Sequence, residues 1–568
     1  MVPIDGHDTD LRLTLDQMRE RVELYVRTYR TLLRSAGETR LRTLETPHIE
    51  MRSSLHAGAG DPRPDMGALI YATQRLPECM PHIRHIILGQ SAEAIGQALG
   101  ADVAGWQPVS SPGRRRRWLW DGADRLGVLV ASESDVDDLI PTVVAYQIEW
   151  NKLHRALRHT GAADHPVTTL WRELGVREVD WYHFAEITGG LTGFLRAAAE
   201  HEKDLWVRAV GGTHVGYARA VRRWWSAVHN TLVAEGLDQR PIYFVSSNTH
   251  SLVNLLSGVA GRHEDEILRF VDELGDPELR AEREAIRSGA SRASWANFLY
   301  YAARAYFSRH PDAARNRERR SAEEAALGIR WVPPHGAIDV AAQIIRLDAL
   351  ETARLDSRLG TVDERRLGAS PAVIVNIDYP LGLGAYRILR EVCEDLEQLR
   401  GVYVLGKAAT LNADVGDVML SSVVHDEHSG STYWLDNAFG VEDLMGDLRF
   451  GTGLDNQRAV TVKSTFLQNR AYLDFYYREA FTVVEMEAGP YCDAIYEIAD
   501  ADRHPTGEAV NFSKLPIDFG IIHYASDTPY TQARTLGARG LSYFGMDSTY
   551  ASSLAILRRV LRLEGALE

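Results

Sequence analysis

Ala372-Val373-Ile374-Val375-Asn376-Ile377 runs directly into Asp378-Tyr379-Pro380-Leu381-Gly382-Leu383-Gly384-Ala385, and an apolar helical repeat through Leu389 and Val392 follows. A continuous apolar run of this length reads as a strand buried on both faces. The glycines after it mark a strand-to-helix turn in which backbone N–H groups can approach a ligand. The same alternation continues downstream. Val402-Tyr403-Val404-Leu405 ends at Gly406, Lys407 to Asp417 form a polar loop, and Val418-Met419-Leu420 begins another strand. Val460-Thr461-Val462, Thr482-Val483-Val484 and Phe519 to Tyr524 are further strand candidates. The succession predicts an α/β domain with a mixed sheet over residues 321–568, with ligands at strand ends.

Upstream the pattern is richer in helix. Leu15, Met18, Val22, Tyr25, Tyr29 and Leu32 recur at steps of three and four, and Gly37 offers the stop. His85-Ile86-Ile87-Leu88 and Leu126 to Val130 are short strands, and Pro141 is placed to open a helix carrying Val144, Ile148, Leu153 and Leu157. Ile242-Tyr243-Phe244-Val245 is a lone strand in an otherwise helical region from 195 to 310. It leads into Ser246-Ser247-Asn248-Thr249-His250-Ser251, a hydroxyl-rich turn that either caps the next helix or holds an anion. The charged stretch Arg309 to Glu324 reads as a surface helix or connector, so residues 1–320 are expected to form a helix-rich α/β domain of unknown role. Arg114-Arg115-Arg116-Arg117, beside Trp118 and Trp120, reads as a solvated strand edge, with stacking on a base or holding a phosphate as the alternative.

A chain of 568 residues has room for two to four domains. Its formal charge of −15 argues against a nucleic-acid backbone as partner. Cys79, Cys393 and Cys492 are too scattered for a disulfide framework or a zinc pattern. The polar, acidic Met1 to Asp10 lacks a secretory signal, and no apolar run approaches the roughly 18 residues that span a bilayer. The expectation is a cytoplasmic protein without membrane partner or cofactor.

The candidate chemistry lies in Val483-Val484-Glu485-Met486-Glu487-Ala488 and Ala525-Ser526-Asp527. Vicinal hydroxyls of a sugar need acceptors and a departing nucleobase needs a proton donor; carboxyl groups supply both. The alternative is a helix start with two solvated acids. His425-Asp426-Glu427-His428 has metal-ligating residue types, but four adjacent side chains rarely converge on one ion, so a polar or gating loop is favoured and no metal is assigned.

These segments, in this order, resemble the nucleoside phosphorylase superfamily, which includes purine nucleoside phosphorylases, methylthioadenosine nucleosidases and AMP nucleosidases. Gly382 to Ala385 is similar to the family's glycine-containing loop, Gly406 to Val418 to its glycine-rich segment, Val484 to Ala488 to its Val-Glu-Met-Glu-Ala signature and Ser526-Asp527 to its purine-pocket dipeptide. The layout is most similar to AMP nucleosidases, through Ser526-Asp527-Thr528-Pro529 before a long helix and the acidic-histidine segment at 425–428. The resemblance implies that Glu487 accepts from the ribose 2′ and 3′ hydroxyls, with Glu485 assisting and Met486 packing under the sugar. It implies Asp527 as the proton donor at purine N7, beside Ser526, and Phe466 as the ring that stacks on the base. Gly384 and Gly406 would let backbone approach the ligand, Lys407 would hold a phosphate, and Asp378 is the local candidate for the acid that orients water. Val404 stands where phosphorylases of the family carry arginine, and Lys407-Ala408-Ala409 replaces two glycines. Water is therefore favoured over phosphate, and the expectation is a homo-oligomeric hydrolase of purine nucleosides or nucleotides. The alternatives are a phosphorylase and a purine-nucleotide sensor without turnover.

Overall fold

The computed structural model describes residues 15–35, 37–160, 166–211, 214–396, 398–500, 506–512, 514–528 and 543–568; the expectations for Met1 to Asp10 and for Pro529 lie outside them. The fold is mixed α/β, built on two sheets. Among the described residues the larger has eleven strands, and at its centre Ile242–Ser247 pairs in parallel with both Val373–Asp378 and Leu399–Thr410. That strand is buried at all six positions, with Tyr243 and Val245 in one core and Ile242 and Phe244 in the other. A strand covered on both faces shows no alternation, which is why its central place is hidden in the sequence. The large sheet thus draws a strand from well before residue 320, and the two sheets divide between Val210 and Ile242.

Helices cover both faces of the large sheet. Ser251–Ser257, Trp295–Arg309 and Tyr543–Leu563 pack on one, and His214–Ala234, Leu383–Asp395 and Ala488–Ala499 on the other. Beyond the central strands the sheet curls. Leu399–Thr410, Asp518–Asp527, Val418–Asp426, Gly453–Thr461 and Val483–Glu485 pair successively and return to Leu399–Thr410, closing a ring. The charged stretch before 324 is the helix Ala313–Ala326, packed within this body.

The smaller sheet has six strands, of which Trp206–Val210, His85–Gly89 and Arg125–Leu129 run parallel at its centre. The helices Leu15–Ser35 and Met66–Gln74 pack in its core. A third helix of that core, Glu133–Thr160, corrects one expectation: Pro141 lies inside it rather than at its start. The acids that make residues 133–138 look like a loop are absorbed by partners. Asp137 accepts from Tyr29 and Arg30, while Asp135 and Asp138 accept from arginines of the run at 114–117.

That run is solvated only at Arg115 and Arg117, and all four guanidinium groups are engaged by protein. Arg114 forks onto Asp138 at 2.6 and 3.0 Å, and Arg116 reaches Asp135 and Asp138 at 3.1 and 3.2 Å. The alternate pair points the other way: Arg115 pairs with Asp378 and donates to the Tyr379 carbonyl, and Arg117 donates to the Gly336 carbonyl at 2.7 Å. Alternation along an extended segment thus sends two guanidinium groups into the small-sheet body and two into the large one. The side chains of Arg116 and Asp138 are only 2% and 3% exposed, so each needs the other. Asp138→Ala should lower stability by about 3–5 kcal/mol, because it leaves the Arg114 guanidinium without its acid and the buried Arg116 with Asp135 alone. Arg222→Ala, which breaks the exposed pair with Glu391, should change it by less than about 1 kcal/mol. Denaturant midpoints of the two variants, side by side, check the difference.

Candidate active site

The register of one strand brings the candidate acids together. Ala409, near the end of Leu399–Thr410, lies opposite Val484 on one side and opposite Asp527 on the other, past a bulge after Ala408. Val483–Glu485 runs antiparallel to Leu399–Thr410 and Asp518–Asp527 runs parallel to it, and the register leaves Glu485 and Asp527 both beside the Ala408–Ala409 level of that strand.

Glu485 is committed to the protein. One oxygen accepts from the Thr461 hydroxyl, and the other accepts the backbone N–H groups of Glu487 and Ala488 at 2.6 and 2.7 Å. It thereby fixes the turn that leads into Ala488–Ala499, with the half-buried Glu487 at the position just before that helix. Burial pushes its carboxyl up to about 7, although these hydrogen bonds favour the ionised form. The Glu487 carboxyl finds no side-chain hydrogen-bond partner among the described residues. It is pushed up to about 8, by burial first and then by Glu485, while Arg114 and Arg115 offset part of the rise. Met486 packs against the apolar cluster of Val460, Val462 and Leu473.

Asp527 is 3% exposed, and its Oδ1 has no hydrogen-bond partner among the described residues. Ser526 donates its hydroxyl toward both the Ala408 carbonyl and Asp527 Oδ2, each at 3.3 Å. Burial raises the Asp527 carboxyl to about 7, against the opposing pull of Ser526, Arg75 and Lys407. Asp527 therefore carries a proton in an appreciable fraction of molecules near neutrality. Arg75 Nε, whose guanidinium influences the Asp527 carboxyl, is another buried polar atom without a hydrogen-bond partner among the described residues. Native interiors seldom leave such groups unpaired, and a pocket for a polar ligand is one reason that they do.

Several expected roles change. Asp378 is ion-paired with Arg115 and accepts from the Tyr379 N–H, so its carboxylate is engaged in joining the two bodies. Gly384 faces protein: a side chain at that position would approach Pro380 and Ser132, and the neighbouring Leu383 N–H donates to Ser134 Oγ at 2.9 Å. The glycine loop thus admits the start of the helix Glu133–Thr160. Gly406 gives room to the ring of His523 on the adjacent strand. Phe466 is 1% exposed and enclosed by Tyr71, Leu55 and Ala145, so its ring offers no open face for a base. It meets Tyr71 edge-on at 5.1 Å, and Tyr71 in turn lies under the guanidinium of Arg75. Lys407 is open to solvent, and burial of its surroundings together with Arg304, Arg115 and Arg75 holds its ammonium below the ordinary lysine range.

The segment 425–428 diverges. His425 Nδ1 lies 3.0 Å from Thr432 Oγ1, Tyr476 donates to Glu427 at 2.8 Å, and His428 bridges Asp426 at 2.8 Å and Ser134 at 3.4 Å. Among the described residues no group of three His, Cys, Asp or Glu side chains is placed to hold a metal ion. The hydroxyl-rich turn at 246–251 also turns inward: Ser247 donates to Asn376, and Asn248 accepts the N–H groups of His250 and Ser251. Cavities of about 400 and 320 Å³ open elsewhere, one beside Lys152 and Arg155 and one beside Arg269 and His310; neither is lined by Glu487 or Asp527.

Sequence reading missed Arg75 and Tyr71. Nothing local marks them, since both come from the helical region before the small sheet. The arginine run was the one available signal for Arg114 and Arg115.

A family model described as a family of unknown function (DUF6909) matches residues 41–562. No curated protein matches the chain. Among solved structures, the 5′-methylthioadenosine/S-adenosylhomocysteine nucleosidase of Neisseria meningitidis, in complex with methylthio-immucillin-A, shares 13% identity over 44% of this chain and 94% of its own, with a TM-score of 0.28. A putative methylthioadenosine nucleosidase from Weissella paramesenteroides shares 11% over 44% and 95%, with a TM-score of 0.28. A double mutant of the adenosine/methylthioadenosine phosphorylase of Schistosoma mansoni, with adenine, shares 12% over 35% and 78%, with a TM-score of 0.26. Each likeness spans less than half of this chain. No helix among the described residues is long and apolar enough to cross a membrane.

The raised carboxyls set a sign for pH dependence. A carboxyl that holds its proton more tightly when folded stabilises the protein at low pH; that contribution is lost as pH rises from the unfolded value near about 4 through the folded one. For Glu487 the loss runs up to about 8. Glu487→Gln should therefore melt at a higher temperature than the parent, and the gap should be wider at about pH 8.5 than at about pH 5. Thermal melts at the two pH values measure it.

Proposed function

We propose that this chain, which belongs to the family of unknown function DUF6909, hydrolyses the N-glycosidic bond of a purine nucleoside or nucleotide. The observation that carries the reading is the placement beside one strand of a buried, protonatable Asp527 and a half-buried Glu487, each with a carboxyl oxygen left unpaired among the described residues. The order of the motifs at 406–418, 484–488 and 526–527 supports it as well.

The chemistry follows from the charges. As the C1′–N9 bond breaks, its electron pair goes to the purine and positive charge develops on the ribose. Asp527 delivers its proton to N7 and neutralises the leaving base, an effect of about 10²–10⁴ in rate for a positioned acid. Glu487, held by the turn that Glu485 fixes, accepts from the ribose hydroxyls; with its carboxyl raised to about 8 it is mostly protonated near neutrality, and the ionised fraction that stabilises the cationic sugar grows as pH rises. Water adds to C1′ and releases a proton to solvent, and Asp527 is reprotonated. Asp378 is left out of this scheme because its carboxylate is engaged by Arg115. Met486 forms the floor under the sugar.

A second reading has one observation in its favour. Lys407, open and flanked by Arg75, Arg115 and Arg304, is a cationic wall that would hold a phosphate, either as the attacking nucleophile or as part of a nucleotide substrate. Chromatography of products from nucleosides and 5′-monophosphates, with and without inorganic phosphate, separates the readings. Free base and ribose in phosphate-free buffer establish hydrolysis, and ribose 1-phosphate formed only with phosphate establishes phosphorolysis. Asp527→Asn should reduce base release by about 10²–10⁴ while the melting curve stays cooperative. A variant as active as the parent removes Asp527 from the mechanism.

A further inference from the structure

The cavity of about 400 Å³ opens in the small-sheet body, and neither Glu487 nor Asp527 lines it. One face of the helix Glu133–Thr160 supplies Ile148, Asn151, Lys152 and Arg155 to its lining, at helical spacing. The turn at 59–62 forms another wall and carries Asp61. Lys152 ties the two together. It is 3% exposed, and its ammonium donates to the Gly58 carbonyl and to Glu149 Oε1, each at 2.6 Å. The Asp61 N–H returns to the same Gly58 carbonyl at 2.9 Å, so the wall is held in place without a ligand. Glu149 is shared further: it accepts from His56 at 2.6 Å and from the Asp65 N–H. A carboxylate only accepts, so with neutral imidazoles the donors run from Tyr25 to His48, from His48 to His56 and from His56 to Glu149. This buried chain saturates Glu149. The ammonium of Lys152 still has its third N–H unspent among the described residues.

Most of the other charges at the cavity are already answered. Arg42 pairs with Glu202 at 3.1 Å, one Glu45 oxygen accepts the Gln147 amide at 2.6 Å, and Asn151 spends its amide on the Lys203 backbone. Two sets remain. On the positive side stand the third N–H of Lys152 and the exposed Arg155; on the negative side stand the exposed Asp61 and the second Glu45 oxygen. Neither the Arg155 nor the Asp61 side chain has a partner among the described residues. Ile49 lines the same cavity and is left 37% exposed, while Ile148 is buried. A simple anion or cation would answer one set of charges and leave the other; a zwitterion with an apolar part answers both. We propose that this cavity binds a free α-amino acid with an apolar side chain. Its carboxylate meets Lys152 and Arg155, its ammonium meets Asp61 and Glu45, and its side chain covers Ile49 and Ile148. The volume is in the range of small-molecule sites, which begin at about 300 Å³. The proposal does not rest on the N-glycosidase reading.

The test is isothermal titration of the full-length chain with L-leucine and L-phenylalanine. Isocaproate, isoamylamine and glycine are the comparison probes, lacking the ammonium, the carboxylate and the apolar group respectively. At least one of the two amino acids should bind one-to-one, and each comparison probe should bind at least about 10-fold more weakly. Arg155→Ala and Asp61→Asn change exposed side chains, so both variants should melt as the parent does. Each should weaken binding of that amino acid by about 10-fold. Saturable binding by neither amino acid at about 10 mM overturns the proposal. Isocaproate bound as tightly as the amino acid overturns it too, because the cavity is then an anion site. So does binding that is unchanged in both variants, because the amino acid then sits elsewhere. None of these outcomes bears on base release, which depends on Glu487 and Asp527.

Discussion

Four consecutive arginines hold the two sheets of this protein in register. Because the segment is extended, Arg114 and Arg116 fork onto Asp135 and Asp138, while Arg115 and Arg117 reach Asp378, Tyr379 and Gly336. The buried Arg116 and Asp138 are tolerable only as a pair, which fixes the segment from which the exposed Arg115 and Arg117 reach the large-sheet body. Other contacts depend on the same docking. Ser134 receives the Leu383 N–H, Arg387 pairs with Glu133, and Tyr71 meets Phe466. The candidate site is composite as a result: its acids come from strand ends of one body, and Arg75, Arg114 and Arg115 come from the other.

The site is also where the fold accepts unfavourable electrostatics. Glu485, Glu487 and Asp527 all sit where burial raises the carboxyl toward or above neutrality. Glu485 is stabilised by two backbone N–H groups and the Thr461 hydroxyl, and through those bonds it orients the residue two places on. One acid thus serves as scaffold and the other as the group open to a ligand. A pair of carboxyls at this spacing in sequence does not reveal which is which. The direction of the strand and the start of the next helix decide it.

The glycines and the aromatic ring show how a motif can be present while its contacts are different. Gly384 and Gly406 read in sequence as ligand-facing, and each has protein within contact distance of where a side chain would start: Ser132 and Pro380 in one case, His523 in the other. Phe466 reads as a stacking ring and instead supports Tyr71. Asp378 reads as a free acid at a strand end and is taken by Arg115. In all four the competing partner lies far away in the chain. Local pattern reports that a position is small, aromatic or acidic; it does not report what occupies the space beside it.

Sequence alone determined the alternating strand and helix of the carboxy-terminal half, because buried strands and amphipathic helices leave periods that local pattern preserves. It also marked the stretches that end at Glu487 and Asp527, since strand ends and the turns after them have their own composition. Tertiary structure decided that Ile242–Ser247 is the central strand of the large sheet, more than a hundred residues before its partner Val373–Asp378. It decided as well that a four-arginine run joins the two bodies. The reason is physical: strand order, ion pairing across bodies and the burial that shifts a carboxyl all depend on distances between segments remote in sequence, and no local period encodes them.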